Sequence, residues 1–217
     1  MLIMGQGASG RTWTLHQVPA FVDAGYEVLT YDHRAAGTVD RGPFTFGELV
    51  DDAADIIRRT GVGPAAVVGT SLGARIAGSL TARHPGLVTR CVMAAAHAAA
   101  PRTAQVLSAR GDRAAALLAR EEPEYLDALT AARNLSPATL ADPDRPWDLH
   151  GEYATIRRPC LTLAYGDDRV VTPAQVRDVA ATVPGATYRE IPRTGHWGYL
   201  ERPDEVNRVI LEFIAGR

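Results

Sequence analysis

The sequence predicts an α/β fold, a mostly parallel sheet covered by helices on both faces. Three observations predict it. Short, unbroken apolar runs ("MLIM", "AAVVG", "RCVMAAA", "CLTLAYG") alternate with stretches of helical spacing along the whole chain. Capping residues, prolines and glycines punctuate the helical stretches. The length, 217 residues, suits one such domain and is short for two.

The elements follow in order. "MLIM" is a strand, leading through a glycine-rich turn to a loosely helical stretch from Trp13 to Ala24. "YEVLTYD", Tyr26 to Asp32, reads as the next strand. In "TFGELVDDAADIIRRTG", Thr45 and Glu48 stand at capping-box spacing, Leu49, Ala53, Ile56 and Ile57 share a face, and Gly61 closes a helix that covers a sheet. "AAVVG" is a strand, and Ser71 to Arg83 a helix stopped by His84-Pro85-Gly86. "RCVMAAA", "CLTLAYG" and "TYREI" are further strands. Proline at the first helical position starts two more helices, from Thr172-Pro173 to Val183 and from Pro203 to Ala215.

Between His97 and Arg158 the rhythm breaks. No good strand occurs there, only Ala-, Leu- and Arg-rich helical pieces with clustered prolines. An interruption of this size at one point in an α/β sheet is more often a lid over a site than a linker. The expected organisation is thus core at 1–96, a helical lid insertion at 97–158, and core again at 159–217.

Composition narrows the partners. With 46% hydrophobic and 22% charged residues and a formal net charge of −2, the chain lacks the basic excess that nucleic acid or an anionic membrane would call for. All 23 basic residues are arginine, which reads as a coding bias of the source genome. Cys91 and Cys160 open two predicted strands, and buried thiols are expected there over a disulfide. No run approaches a membrane span and no signal-peptide pattern is present, so a cytoplasmic protein with a small-molecule substrate is expected.

"AAVVGTSLGARIAGSL", Ala65 to Leu80, carries the chemistry. It places one serine between two glycines where a strand turns into a helix. A nucleophilic serine needs an exposed Oγ, a nearby base, and donors for the oxyanion it creates. A sharp strand-to-helix turn supplies the first and third, provided its neighbours are small, as Gly69 and Gly73 are. The N–H of Leu72 then points at the developing charge. Of six histidines, only His196 in "IPRTGHWGYLERPDEV" follows the last strand and precedes a final helix. The preceding strand ends in "LTLAYGDDRVVTP", which offers Asp167 and Asp168 as the orienting acid.

Taken together, these motifs resemble the α/β-hydrolase superfamily, in its small lid-bearing branch of esterases and C–C bond hydrolases. "MGQGASGRTW" resembles the family's His-Gly oxyanion turn, with Gly5 as its glycine and Gln6 as a backbone donor. "DHRAAGTVD" resembles the D-x-R-G-x-G-x-S stretch, with Asp32, Arg34 and Gly37 in place. "GTSLG" is the nucleophile elbow, "GDDRVVTP" the acid turn, and "GHWGYLERPDEV" the histidine turn. The chain departs from the pattern in three places. Met4 stands where the family has histidine, the acid turn is a residue short, and two N-terminal hairpin strands of the family are absent from this sequence. Without them Tyr26 to Asp32 is expected to be an exposed sheet edge.

The resemblance implies a serine hydrolase acting on an ester-type bond, with Ser71 as nucleophile, His196 as base and Asp168 as acid, Asp167 staying open. Gln6 and Leu72 would donate backbone N–H groups to the oxyanion. Two alternatives accompany it: the same triad serving a thioester, lactone, C–C bond or cyclisation, or a ligand-binding protein whose triad is silent. Trp147, Tyr125, Leu117 and Leu118 could line a pocket or form the lid's own core, and His97 could face the pocket or pack against the lid. Arg34 and Arg75 could neutralise a substrate carboxylate, although Arg34 is expected to pin its loop and Arg75 to sit on a helix surface. His33 beside Asp32 suggests a metal pair, yet no third ligand has suitable spacing, so no metal or other cofactor is expected.

Overall fold

Five strands, β1 (Leu2–Ile3), β2 (Ala65–Thr70), β3 (Val88–Ala94), β4 (Cys160–Tyr165) and β5 (Thr187–Ile191), lie side by side in that order and all run parallel. They come from a computed structural model that describes residues 1–36, 44–61, 63–99 and 148–216. Parallel neighbours need crossovers, and helices form them here. α1 (Gln17–Asp23) and α2 (Phe46–Thr60) lie between β1 and β2, and α3 (Leu72–Arg83) between β2 and β3. α4 (His150–Tyr153) precedes β4, α5 (Pro173–Thr182) joins β4 to β5, and α6 (Gly198–Glu201) and α7 (Pro203–Ile214) follow β5.

Successive strand residues point to opposite faces, so the sheet has two core layers. Val67, Cys91, Met93 and Cys160 face Leu49, Ala53 and Ile57 of α2 and Ile76 and Leu80 of α3. Val68, Val92, Leu161 and Leu163 face Phe21 of α1 and Val206 and Ile210 of α7. Cys91 and Cys160 are buried free thiols, paired across β3 and β4.

The helix ends follow local chemistry. Thr45 accepts from the Glu48 N–H at 3.2 Å, and Glu48 accepts from the Thr45 N–H at 2.7 Å, closing the capping box. Gly61 ends α2 in the left-handed conformation, φ 69°. Thr172 caps α5 in the same reciprocal way with Gln175, and Pro173 and Pro203 each open a helix.

Two expectations are corrected. Tyr26 to Asp32 is not a strand: it contributes a single bridge, Thr30 to Leu2, with the Leu2 N–H donating to Leu29 O at 2.8 Å. The reason is geometric, because β1 is two residues long before the chain leaves the sheet at Met4, so there is one rung to pair with. Arg75 is not on a surface but 4% exposed, its guanidinium 5.1 Å above the Phe46 ring. Every residue of α3 from Gly73 to Thr81 is buried, because the helix is enclosed between the sheet, α2 and α4. Loss of hydration lowers the pKa of that guanidinium, while Tyr153 and Glu152 pull it the other way.

The two roots of the expected insertion meet. Ala99 bridges Asp148, and the Leu149 N–H donates to Ala98 O at 2.9 Å. Leu149, Tyr153 and Ile156 are buried with α2 and α3. Residues 100–147, with Trp147, Tyr125, Leu117 and Leu118, lie outside the described residues, as does Gly37.

Candidate active site

Ser71 joins β2 to α3 with φ 56° and ψ −120°. A non-glycine residue in such a sparsely populated region costs about 1–3 kcal/mol and persists where its surroundings hold it. Here they do: the Ser71 N–H donates to Ala94 O at 2.9 Å, while Ala74 and Arg75 N–H donate to Ser71 O at 3.0 and 3.2 Å. The flanking glycines are compelled by backbone contact. A Cβ at Gly69 would lie 2.0 Å from Gly73 O, and one at Gly73 would lie 2.2 Å from Ile3 O. Strand and helix therefore close on each other so tightly that the chain reverses at Ser71.

Asp168 follows β4 and is buried, its side chain wholly shielded. Its Oδ1 accepts from the Val170 and Val171 N–H at 2.8 and 3.0 Å. Its Oδ2 faces His196 Nδ1 at 2.8 Å. A carboxylate accepts, so Nδ1 carries a proton, and in the neutral ring Nε2 then holds the lone pair. Asp167 is exposed, its backbone N–H donating to Thr194 O at 2.8 Å. Of the two acids the sequence left open, Asp168 is the one brought to His196.

The loop bearing His196 is fixed at both ends. Thr194 Oγ1 donates to Ile191 O at 2.6 Å, and the Gly195 N–H donates to both carboxylate oxygens of Glu201 at 3.1 Å each. Glu201 has no motif of its own in the sequence; the one signal for its role is its place six residues after Gly195, at the end of α6.

The turn Met4-Gly5-Gln6 leaves β1 beside Ser71. A Cβ on Gly5 would lie 3.4 Å from Ser71 Cβ and 3.9 Å from its Oγ. Leu72, the first residue of α3, belongs to the unpaired N-terminal turn where N–H groups lack intrahelical acceptors. Gln6, Ser71, Leu72, Asp168 and His196 thus all gather beyond the carboxyl ends of β1, β2, β4 and β5, where open α/β sheets bind ligands.

A model of the alpha/beta hydrolase family matches residues 4–209, nearly the whole chain. The chain belongs to this family. It is 32% identical to a Mycobacterium tuberculosis protein named as non-heme bromoperoxidase BpoC, over 99% of this chain and 93% of that one. The crystal structure of BpoC superposes with a TM-score of 0.79, covering 99% of this chain and 91% of the other. A Caulobacter protein named as carbamate hydrolase RutD is 26% identical over 100% of this chain and 90% of its own length. Est816, described as an N-acyl homoserine lactone degrading enzyme, is 26% identical with a TM-score of 0.75, covering 98% of this chain and 91% of that one. As a member of the α/β hydrolase family, with relatives named as hydrolases, the chain is an enzyme.

Other candidates sort by their contacts. Arg34 forks onto Asp52 at 2.6 and 3.0 Å and reaches Glu48 at 3.2 Å, so it pins its loop to α2. His97 Nδ1 lies 3.1 Å from Ala99 O, at the root of the insertion. Both ring nitrogens of His33 are engaged by backbone groups, Met4 O at 2.9 Å and the Ala35 N–H at 3.1 Å, which leaves none for a metal. Among the described residues no group of three or more His, Cys, Asp or Glu could hold a metal ion, and no helix is long and apolar enough to cross a membrane.

Proposed function

We propose that this α/β hydrolase cleaves an ester-type bond of a small organic molecule through an acyl-enzyme on Ser71. The observation that carries the reading is the 2.8 Å contact between His196 Nδ1 and a buried Asp168 carboxylate already held by two N–H groups. That contact directs the His196 Nε2 lone pair away from the acid, the orientation a general base requires.

In the first step Nε2 takes the Ser71 Oγ proton as Oγ bonds to the carbonyl carbon. The carbonyl oxygen becomes an oxyanion that accepts from the Gln6 and Leu72 N–H groups. Each such donor is worth about 3 kcal/mol of barrier. Asp168 stabilises the imidazolium, which returns the proton to the departing alkoxide. Water, deprotonated by the same nitrogen, then releases the acid and restores Ser71. No step calls for a cofactor.

The segment 97–158 leaves the sheet after β3, whose Ala94 carbonyl holds the Ser71 N–H, and this placement supports its reading as a lid that selects the substrate. A lactone, thioester, carbamate or carbonyl-adjacent C–C bond would meet the same nucleophile, and relatives named for carbamate and lactone substrates fall within that range. The test is turnover of p-nitrophenyl butyrate. Wild type should hydrolyse it, and folded Ser71→Ala should not; equal rates in the two would refute the assignment.

A further inference from the structure

We propose that His33 is a positioning residue for the oxyanion turn, holding the Gln6 N–H in its working direction from the adjacent loop. The inference rests on the serine-hydrolase reading above and adds a residue to it.

His33 is 1% exposed. The Ala35 N–H donates to its Nδ1 at 3.1 Å, so that nitrogen must be bare. Nε2 therefore carries the proton and donates to Met4 O at 2.9 Å. Only the neutral Nε2–H tautomer satisfies both bonds, since an imidazolium would set Nδ1–H against the Ala35 N–H. Burial acts in the same sense: it lowers the His33 pKa, against smaller opposing pulls from the Met4 and Gly5 backbone and from Asp32.

The brace has further rungs. The Gly7 N–H donates to Ala35 O at 2.9 Å. Ser9 Oγ and the Gly10 N–H donate to Asp32 Oδ1 at 2.9 and 2.7 Å. Each residue from Asp32 to Ala35 that faces the turn holds a different part of it. Met4 C=O belongs to the peptide unit before Gly5, and the Gly7 N–H to the unit after Gln6. Fixing both flanking units leaves little rotation to the unit between them, which carries the Gln6 N–H. The Ala8 N–H also donates to Gly5 O at 3.4 Å within the turn. Met4 itself is 1% exposed and its side chain offers only a thioether, so the side-chain restraint on the Met4 carbonyl is the His33 bond.

The experiment compares p-nitrophenyl butyrate kinetics of wild type with His33→Ala, His33→Asn and His33→Gln. Glutamine can place its amide nitrogen near Nε2 and keep the bond to Met4. Asparagine reaches only the Nδ1 position and loses it. Misaiming one oxyanion donor should lower kcat by about 10- to 100-fold, within the roughly 100- to 1,000-fold that a whole donor supplies. KM should stay within about twofold in the Ala and Asn variants, and Gln should recover most of kcat. Wild-type kcat in all three, or Asn matching Gln, overturns the proposal. Two readouts on ¹⁵N-labelled protein stand apart from activity. The His33 ring of wild type should be the Nε2–H tautomer at pH 7, and an Nδ1–H form or imidazolium overturns the proposal even where His33→Ala fails to fold. The Gly7 amide, bonded to Ala35 O, should exchange at least about 10-fold faster in the Ala variant, which loses both ring contacts, than in wild type, and equal exchange overturns the brace. If wild type neither turns over the ester nor reacts at Ser71, the serine reading has failed, and the exchange result still decides the brace.

Discussion

Gly198 lies flat against the ring of Tyr165: a Cβ at 198 would come within 2.3 Å of Tyr165 Cδ1 and 2.5 Å of Cε1. Tyr165 is the last residue of β4 and is fully buried, so the ring cannot retreat. The contact therefore sets the distance between the sheet and the loop that carries His196. Gly198→Ala should push that loop outward, destabilising the fold by about 1–3 kcal/mol and lowering kcat more than KM. Urea unfolding and ester kinetics on the same preparation check both effects.

Asp168 and Asp167 are neighbours with opposite environments, and this separates their mutants. Asp168→Asn keeps the shape but offers an amide where His196 Nδ1–H needs an acceptor. The expected loss in kcat is about 10⁴-fold, the scale seen when a triad acid is neutralised elsewhere. Asp167→Asn, on an exposed side chain, should stay within about twofold of wild type. Steady-state kinetics of the pair distinguishes the two acids.

His150 joins the root of the insertion to α5. Its Nδ1 lies 2.6 Å from Asp148 Oδ1, and its Nε2 lies 2.6 Å from Asp178 Oδ2. The hydrogen bond to Asp148, then that to Asp178, raise its pKa above the unfolded value of about 6.5. A raised folded pKa means that the folded state holds the proton more tightly. The stabilisation is therefore complete below about pH 6.5 and is lost as pH climbs through the folded pKa. Solvent exposure keeps it modest. His150→Gln should lower the urea midpoint at pH 6 and have a smaller effect at pH 9, and an equal effect at both would contradict the linkage.

Thr45 offers a test far from the chemistry. Its Oγ1 accepts the Glu48 N–H at the start of α2. Thr45→Ala should cost about 1 kcal/mol of stability, measured by urea unfolding, and leave kcat unchanged.

Much of this was legible in the sequence because punctuation is local. Thr45 with Glu48, Thr172 with Pro173, and Gly61 each act through neighbours in the chain, so the helices begin and end where their spacing predicts. Gly69 was legible for the same reason, since its contact is with Gly73 in the same turn; Gly73 instead answers the backbone of Ile3 in β1, far off in the chain. What spacing does not carry is enclosure. Helical periodicity could not tell that α3 is surrounded, so Arg75 was expected at a surface. The apolar pattern of Tyr26 to Asp32 could not reveal that β1 offers a single rung. His33 drew notice only as the neighbour of Asp32, because its partners at Met4 and Ala35 are backbone atoms that every sequence has.

Ser71, raised by its turn, is proposed to act as a nucleophile served by His196. The most direct test is reaction of the protein with a fluorophosphonate, followed by intact-mass and peptide mass spectrometry. One adduct is expected, located on Ser71, absent from Ser71→Ala and slowed by orders of magnitude in His196→Ala. A folded wild type that takes no adduct, or an adduct that persists in Ser71→Ala, would contradict it.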